Sequence, residues 1–447
     1  IVEGIVDDLN IMLTNVDGLR VIGSASAKTY RDSDKTPAEI GLELSAGTLL
    51  QGSIQKTGSD LKINVRLIDT TTSENIWANS FNGSENDRSK FQQEIIQSIV
   101  NKTKGTILNQ TELGSLTQGD TQSTEAYNLV KEGLELLDIG SRESNQEATR
   151  LFQKAIDLDP NYADAYTGLA RCAVQSPGVS LDHPSDAFPL AKKYTDKALI
   201  INPDHISAKA TKISLTLHLD RDPEKAMQIA QELLKQHPND IRVLQQVGRV
   251  LAFSGKFVMA ITNIKKGLEL DPKNAELHQQ LAFSYMLSGE EKLAEFHNQQ
   301  ALESNPNFQF ALHIRSLILS RQNRFDEVEE QLLKAIENDD QNPVTVMSLG
   351  IVYWRAGKTE KSYKLLADLL DRRNFEYIKG GIITRFYIAI SEKEKAFKWL
   401  RQSRDEKDLD FINLFHWPLY DSVRDDPEFI QIFKEAGIYE FVSKKEL

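Results

Sequence analysis

Along residues 61–67 apolar and polar side chains alternate strictly, with Leu61, Ile63, Val65 and Leu67 set against Lys62, Asn64 and Arg66. Alternation of this kind buries one face of a strand and wets the other. Residues 48–55 before it and 75–81 after it predict two partner strands, joined through Lys56-Thr57-Gly58-Ser59-Asp60 and Thr70-Thr71-Thr72-Ser73. Around these strands the spacing changes to three and four. Val2, Ile5, Val6, Leu9, Met12 and Leu13 predict a helix ended by Asp17-Gly18, and Phe91, Ile95, Ile99 and Val100 predict another, capped by Ser84. Thr36, Pro37 and Glu39 form a helix start with a reciprocal cap, and that helix ends near Ala46-Gly47. Residues 19–24 read as a short strand. The order helix, strand, helix, three antiparallel strands, helix predicts a small α/β sandwich over residues 1–113.

From residue 123 to 407 the pattern is helical, and it repeats. Gly248, Ala282, Ser316 and Gly350 lie 34 residues apart; Leu251, Tyr285, Leu319 and Tyr353 keep step with them, as do Gly255, Gly289, Asn323 and Gly357. A fixed period of this length means stacked units, each burying its neighbour's apolar face, and such arrays bind partners more often than they do chemistry. Ala148, Phe152, Ala155 and Pro160 share their spacing with Ala260, Ile264, Gly267 and Pro272, and with Ala294, Asn298, Ala301 and Pro306. Small side chains there let paired helices approach, and proline ends the second helix of each pair. One helix is predicted over residues 123–139 and the next from Glu147-Ala148. Pro160 and Pro203 are 43 apart, which predicts an insertion over residues 176–185. The unit around Ser316 has Val328 and Asp340 where Ala and Pro are usual, and is expected to be looser. Residues 114–122, rich in small and polar side chains, read as a linker. After a terminal helix pair (377–390 and 393–404), residues 408–447 are expected to cap the last repeat, with Phe415, Trp417, Phe429 and Phe433 over its exposed face.

These small-residue and proline positions resemble the tetratricopeptide repeat, and Ala155-Ile156-Asp157-Leu158-Asp159-Pro160 and Gly267-Leu268-Glu269-Leu270-Asp271-Pro272 are close to its helix-to-helix junction. The amino-terminal part resembles a second family. Gly4-Ile5-Val6-Asp7-Asp8-Leu9, Leu19-Arg20-Val21-Ile22, Leu49-Leu50-Gln51-Gly52-Ser53-Ile54, Val65-Arg66-Leu67-Ile68-Asp69 and Ile76-Trp77-Ala78-Asn79-Ser80-Phe81 are similar to the TolB amino-terminal-like domain, whose usual first strand has no counterpart here. The resemblance implies a module that precedes tetratricopeptide repeats, downstream of a winged helix or a class III nucleotide cyclase domain. The run from Trp417 to Phe429 resembles the tail that closes such proteins. The expected fold class is therefore α+β, a small α/β sandwich followed by an all-α tetratricopeptide-repeat superhelix. In the repeat family the inner faces of the first helices line a concave groove. Carried onto this chain, those positions are Arg242, Gln245, Arg249, Gln279, Phe283, Phe310, His313, Arg321, Trp354 and Arg355. Arginines among aromatics can grip a carboxylate-bearing peptide, or stack on and hydrogen-bond a sugar. On the plainer reading, Phe283 and Phe310 pack between repeats.

A chain of 447 residues is too long for one core. It opens at Ile1 inside a helical pattern, without Met or a signal-peptide pattern, and is expected to be part of something longer. No apolar run approaches the roughly 18 residues that cross a bilayer. The net charge of −12 argues against direct nucleic-acid binding. Cys172, the single cysteine, excludes an internal disulfide and sits in an apolar helical stretch, as a buried small hydrophobe would. Trp77 reads as a ligand-stacking platform or as an aromatic packed on the sheet, and Asp7 and Asp8 as the solvated face of the first helix rather than a catalytic pair. Gly248 to Lys256 has six residues between its glycines where a phosphate loop has about four. The eight histidines are scattered, and no nucleophile elbow or dinucleotide fingerprint occurs. No catalytic residue, metal or cofactor is expected. The function expected is a non-catalytic sensory and interaction region of a bacterial signalling or transcription-regulatory protein. It would take a peptide, protein or small ligand in the groove and pass the effect to an output domain upstream. The rival class is a stand-alone scaffold or assembly protein. By the same resemblance the compartment leans periplasmic, with membrane attachment only through a segment outside this chain, and the oligomeric state, a homodimer included, stays open.

Overall fold

A computed structural model describes residues 2–14, 16, 19–31, 33–57, 60–84, 88–104, 121–306, 308–338 and 342–443. The amino-terminal layer comprises α1 (Val2–Thr14), α2 (Ser24–Lys28), α3 (Pro37–Leu44), β1 (Thr48–Thr57), β2 (Asp60–Asp69), β3 (Asn75–Ser84) and α4 (Arg88–Lys104). The strands form one antiparallel sheet in the order β1-β2-β3, with Thr48 opposite Asp69 and Ile63 opposite both Ile54 and Phe81. The alternation in β2 works as expected. Ile63, Val65 and Phe81 form a core with Leu9, Met12 and Leu13 of α1 and with Phe91, Ile95, Ile96, Ile99 and Val100 of α4. The opposite face is wet and carries a polar ladder, in which Arg66 donates to Gln51 (2.6 Å) and Ser80 to Asn64 (2.8 Å). Trp77 packs against this core, 6.4 Å from the Phe81 ring, which favours the packing reading. The α3 cap is reciprocal as predicted, with Pro37 in the first turn.

Two expectations fail in this layer, the strand at residues 19–24 and the solvated face at Asp8. Residues 19–23 form no strand and Ser24 opens α2, because the polar groups of this segment go elsewhere. Gly23 N–H donates to Leu270 O (2.6 Å), and the Arg20 guanidinium donates to Ser45 O (3.0 Å) and Glu269 O (2.7 Å). The predicted cap of α4 by Ser84, the last residue of β3, turns on residues 85–87, which lie outside the described residues. Asp8 is not on a solvated face. It accepts from Gln92 of α4 (3.0 Å) and pairs with Lys131 of the first solenoid helix. The turn at Gly58-Ser59, residues 114–120 of the linker and Asp340 also lie outside the described residues.

The rest is a solenoid of helix pairs: α5/α6 (Thr124–Ile139, Arg142–Leu158), α7/α8 (Ala163–Gln175, Pro184–Ile201), α9/α10 (Ile206–His218, Pro223–Gln236), α11/α12 (Ile241–Phe253, Phe257–Leu270), α13/α14 (Ala275–Leu287, Glu291–Ser304), α15/α16 (Gln309–Arg321, Phe325–Asn338), α17/α18 (Pro343–Arg355, Thr359–Arg372) and α19/α20 (Gly380–Ala389, Lys393–Asp405). The turn inside each pair explains one register of the repeat. Arg221, Gly255, Gly289, Asn323, Gly357 and Ser391 stand 34 residues apart, and all have positive φ, from 52 to 85°. Glycine takes that conformation without steric cost, so three of the six are glycine. Arg221 and Ser391 extend the period one unit each way beyond what side chains alone suggest. A second register caps the first helices: Asp240, Asn274 and Asn342 accept from backbone N–H groups, while Phe308 at the same position supplies no side-chain cap. Val328 is nonetheless buried in its expected place. The predicted insertion is a short 3-10 turn at Ser176–Val179 leading into α8. Helix α6 begins at Arg142, five residues before Glu147, because Ser141 and Ser144 cap each other's backbone.

The carboxy-terminal segment, with α21 (Phe411–Leu414), α22 (Pro427–Glu435) and α23 (Tyr439–Ser443), does more than cover the last repeat. Phe429 and Phe433 do stack there with Phe397, Phe411 and Phe415. Trp417 instead enters the concave face, its ring 5.3 Å from Phe283, 5.9 Å from Phe310 and 5.0 Å from His313. The superhelix also closes on itself. Arg221 donates to Arg404 O (2.5 Å), Lys407 donates to Leu219 O (2.8 Å), and Arg142 pairs with Glu376 (3.2 Å).

Candidate ligand groove

Successive first helices α9, α11, α13 and α15 present their inner faces side by side, and the carboxy-terminal segment lies across them. Between them is a cavity of about 230 Å³. Its walls include Phe253, Phe283 and Phe310, whose rings meet edge to face at 6.4 and 5.5 Å. Edge-to-face contact holds these rings as fixed apolar walls. The polar lining is Ser214, His218, Arg249, Gln279, Gln280, Ser284, Asp410 and Asn413.

The predicted groove residues divide. Arg249, Gln279 and Phe310 are brought to this one cavity, and Phe283 both lines it and packs between repeats. Arg249 also pairs with Glu276 (2.9 Å), which accepts from Gln245 as well (3.3 Å). Arg242 is tied down at the start of α11, donating to Asp240 (2.5 Å) and Ser207 (2.8 Å). His313 is buried beneath Trp417 and shares a hydrogen bond with Ser348 (2.7 Å), so it faces the chain's own tail. Trp354 turns to the second helix of its own pair, 5.8 Å from the Tyr363 ring. Arg321 and Arg355 form a separate basic pair at the ends of α15 and α17. Arg321 reaches Glu291 (3.5 Å), and partial burial together with Arg321 depresses the Arg355 guanidinium.

Sequence reasoning missed His218, Gln280 and Asn413. Burial holds the His218 imidazole neutral, lowering it to about 3, with the Arg249 charge adding to the effect. Among the described residues, both ends of the Gln280 amide, Asn413 Oδ1 and His218 Nδ1 are buried without a hydrogen-bond partner. A signal for Gln280 was present, since one period later Ile314 fills the same position as plain core. The Asp410 carboxylate is committed elsewhere, to Lys379 (3.1 Å) and Arg385 (2.5 Å). Burial opposes its charge, yet Lys379 and Arg385 hold it down at about 2. Cys172 is a buried thiol pushed up to about 11 by burial. Nothing in this arrangement gathers an acid, a base and a nucleophile.

No protein-family profile matches the chain. A similar curated protein from Rhizobium meliloti (strain 1021), described as "Putative adenylate cyclase 3", is 27% identical over 199 residues, 43% of this chain and 34% of that protein. The match thus spans about a third of that relative's length. Solved structures similar to this chain include MamA (22% identity, TM-score 0.31, 36% of this chain and 95% of that one). A thermophilic TPR protein of Thermus thermophilus has 20% identity and a TM-score of 0.36, over 44% of this chain and 97% of that one. Human IFIT1, in a dimer with m7Gppp-AAAA, has 17% identity and a TM-score of 0.47, over 74% and 76%. The repeat assignment rests on the helix pairs and their 34-residue register, not on these likenesses. No helix among the described residues is long and apolar enough to cross a membrane.

Proposed function

We propose that this chain is the non-catalytic, ligand-receiving region of a bacterial signalling protein, in which the solenoid takes up a partner on its concave face and the amino-terminal layer carries the effect onward. One observation carries the reading: the helix that lines the cavity starts at the point where the layer is held. Gln279 and Gln280 lie on α13, which follows directly on Leu270, Asp271 and Lys273. Those three residues hold the layer. Asp271 accepts from the Ser26 backbone N–H (2.7 Å) and hydroxyl (2.5 Å), and Lys273 N–H donates to that same hydroxyl (2.9 Å). A shift of α13 on binding moves the ground on which α2 stands, and coupling between sites needs such a shared element. The likeness to a protein described as an adenylate cyclase supports a nucleotide-signalling context, and so does the TolB-like resemblance. The groove arginines supply the means of gripping an acidic partner.

The test uses the whole chain and a panel of Asp- and Glu-rich peptides in fluorescence-anisotropy titrations. Arg249→Glu and the pair Arg321→Glu with Arg355→Glu are expected to weaken binding by about tenfold or more, equivalent to roughly 1.4 kcal/mol, with circular dichroism unchanged. Equal affinity in all three proteins ends the acidic-partner reading. In the same titrations, hydrogen exchange at the amides of α2 changes on binding if the layer receives the signal. It stays constant if the chain is a scaffold.

A further inference from the structure

Resting on the reading that the concave face receives a ligand, we propose that the cavity beside Gln280 takes a small uncharged molecule with an amide-type edge, a donor next to an acceptor, on a flat apolar body. Three independent features of the cavity define that chemistry.

The first is its unmet hydrogen-bonding capacity. Gln280 is only 7% exposed and Asn413 only 6%, yet Nε2 and Oε1 of the glutamine and Oδ1 of the asparagine have no partner among the described residues. Burying an amide group unpaired is costly, so an unpaired cluster marks a place where something else completes the bonds. Exchanging the two ends of the Gln280 amide leaves the same deficit, one donor group and one acceptor. The complement is a molecule that accepts from the amide N–H and donates to the carbonyl oxygens.

The second is charge. Arg249 and Asp410 line the cavity, and within it both already have partners: Asp410 holds the buried Lys379 (3.1 Å) and Arg385 (2.5 Å), and Arg249 holds Glu276 (2.9 Å) in a half-exposed pair that an acidic partner can reach only from outside the cavity. A charged guest would displace one of these partners or enter without one, and a buried unpaired charge is strongly disfavoured. The third is shape. Phe253, Phe283 and Phe310 form apolar walls, and the carboxy-terminal segment closes the side through Leu409 and Asn413. At about 230 Å³ the space is below the roughly 300–1,000 Å³ of drug-sized sites, and it suits a guest on the order of ten non-hydrogen atoms rather than a peptide strand.

Benzamide, benzoate and benzylamine share the ring and differ in the edge, and they serve as probes with the full chain. Saturation-transfer and ¹H–¹⁵N NMR are expected to show benzamide binding about tenfold or more tightly than either charged analogue, with the Gln280 side-chain amide resonances shifting. Gln280→Leu keeps the volume and removes both polar ends. It is expected to lower benzamide affinity by about tenfold while thermal stability holds or rises. Should that variant misfold, Asn413→Leu and the Gln280 amide shift in the unaltered chain decide the same question. The proposal is overturned if a charged analogue binds as well as benzamide, or if Gln280→Leu binds benzamide undiminished. Acidic-peptide binding that persists when benzamide fails overturns the neutral-guest proposal and leaves the groove reading standing.

Discussion

The solenoid carries two attachments made from its own chain, and they are built on opposite principles. The carboxy-terminal segment shares the solenoid's core: Phe411, Trp417, Tyr420 and Phe429 belong to one continuous apolar cluster with residues as distant as Ile213 and Val243. The amino-terminal layer keeps a separate core of its own and, among the described residues, meets the solenoid through hydrogen bonds from Arg20, Gly23 and Ser26 and through the Asp8–Lys131 pair. A segment in the common core cannot leave without unfolding it, whereas a layer held by a few polar contacts can shift as a unit. Low-stability attachments are where conformational responses are found. On the proposed function, the tail would be part of the binding wall and the layer the part that shifts.

Acid separates the two regions most strongly. All eight histidines lie between residues 183 and 416 and none in the layer. Burial holds His218 at about 3 and His416 at about 4, helped by Arg249 and Arg424 respectively, and burial with Arg385 holds His313 well below its ordinary value. Below about pH 6.5 the unfolded chain binds these protons and the folded chain does not. Solenoid stability therefore falls as pH drops from about 6.5 toward 4, by roughly 1.4 kcal/mol per histidine per pH unit. In the layer, hydrogen bonds hold Glu39, Glu43 and Asp69 below the ordinary carboxylate range. Their stabilisation persists at pH 5 and is lost only as pH falls through and below about 4. With fluorinated tryptophan, the Trp417 signal is expected to lose its folded shift near pH 5 while Trp77 keeps its own. Loss of Trp77 first would reverse the ranking of the two regions.

Removing the tail's ionic anchor comes next in size. Asp410→Asn leaves Lys379 and Arg385 buried with half their partner gone, and breaking such a pair costs about 3–5 kcal/mol. Urea unfolding followed by circular dichroism is expected to shift as one cooperative transition for solenoid and tail together. A tail that melts separately, with the repeats intact, would show that the shared core does not bind them as one unit.

Much of this contrast was legible in the chain and some was not, for physical reasons. The strict alternation in β2 and the 34-residue register could be read directly, because each side chain there answers to its own element's geometry. Residues 19–24 misled because Leu19, Val21 and Ile22 suit a strand, while the hydrogen bonds that decide the matter come from Glu269 to Asp271, more than 240 residues away. Trp417 was legible as an apolar cap but not as an occupant of the groove, since superhelical closure depends on small rotations summed over many pairs. His313 and Trp354 fell on groove positions by register, yet a buried tail and a neighbouring helix claim them. Gln280 was overlooked because adjacent polar residues on a helix read as solvated until burial is known.

The smallest effect probes the latch itself. The Asp271 carboxylate sits at the start of α2 and takes the place of a local cap, and Ser26 is fully buried against it. Ser26→Ala removes the hydroxyl that donates to Asp271 and accepts from Lys273 N–H, leaving that N–H unmet at a cost of about 1–2 kcal/mol. Gly23→Ala acts by bulk instead, because a Cβ there would overlap the Asp271 side chain. Both are expected to raise hydrogen exchange across α2 and the Lys131 contact, while the main unfolding midpoint of the solenoid stays within error of the unaltered chain. If either change lowers that midpoint as much as Asp410→Asn does, the layer is as integral as the tail. Its separate core would then no longer argue for independent motion, because the polar contacts at Ser26 would be holding the repeats in shape.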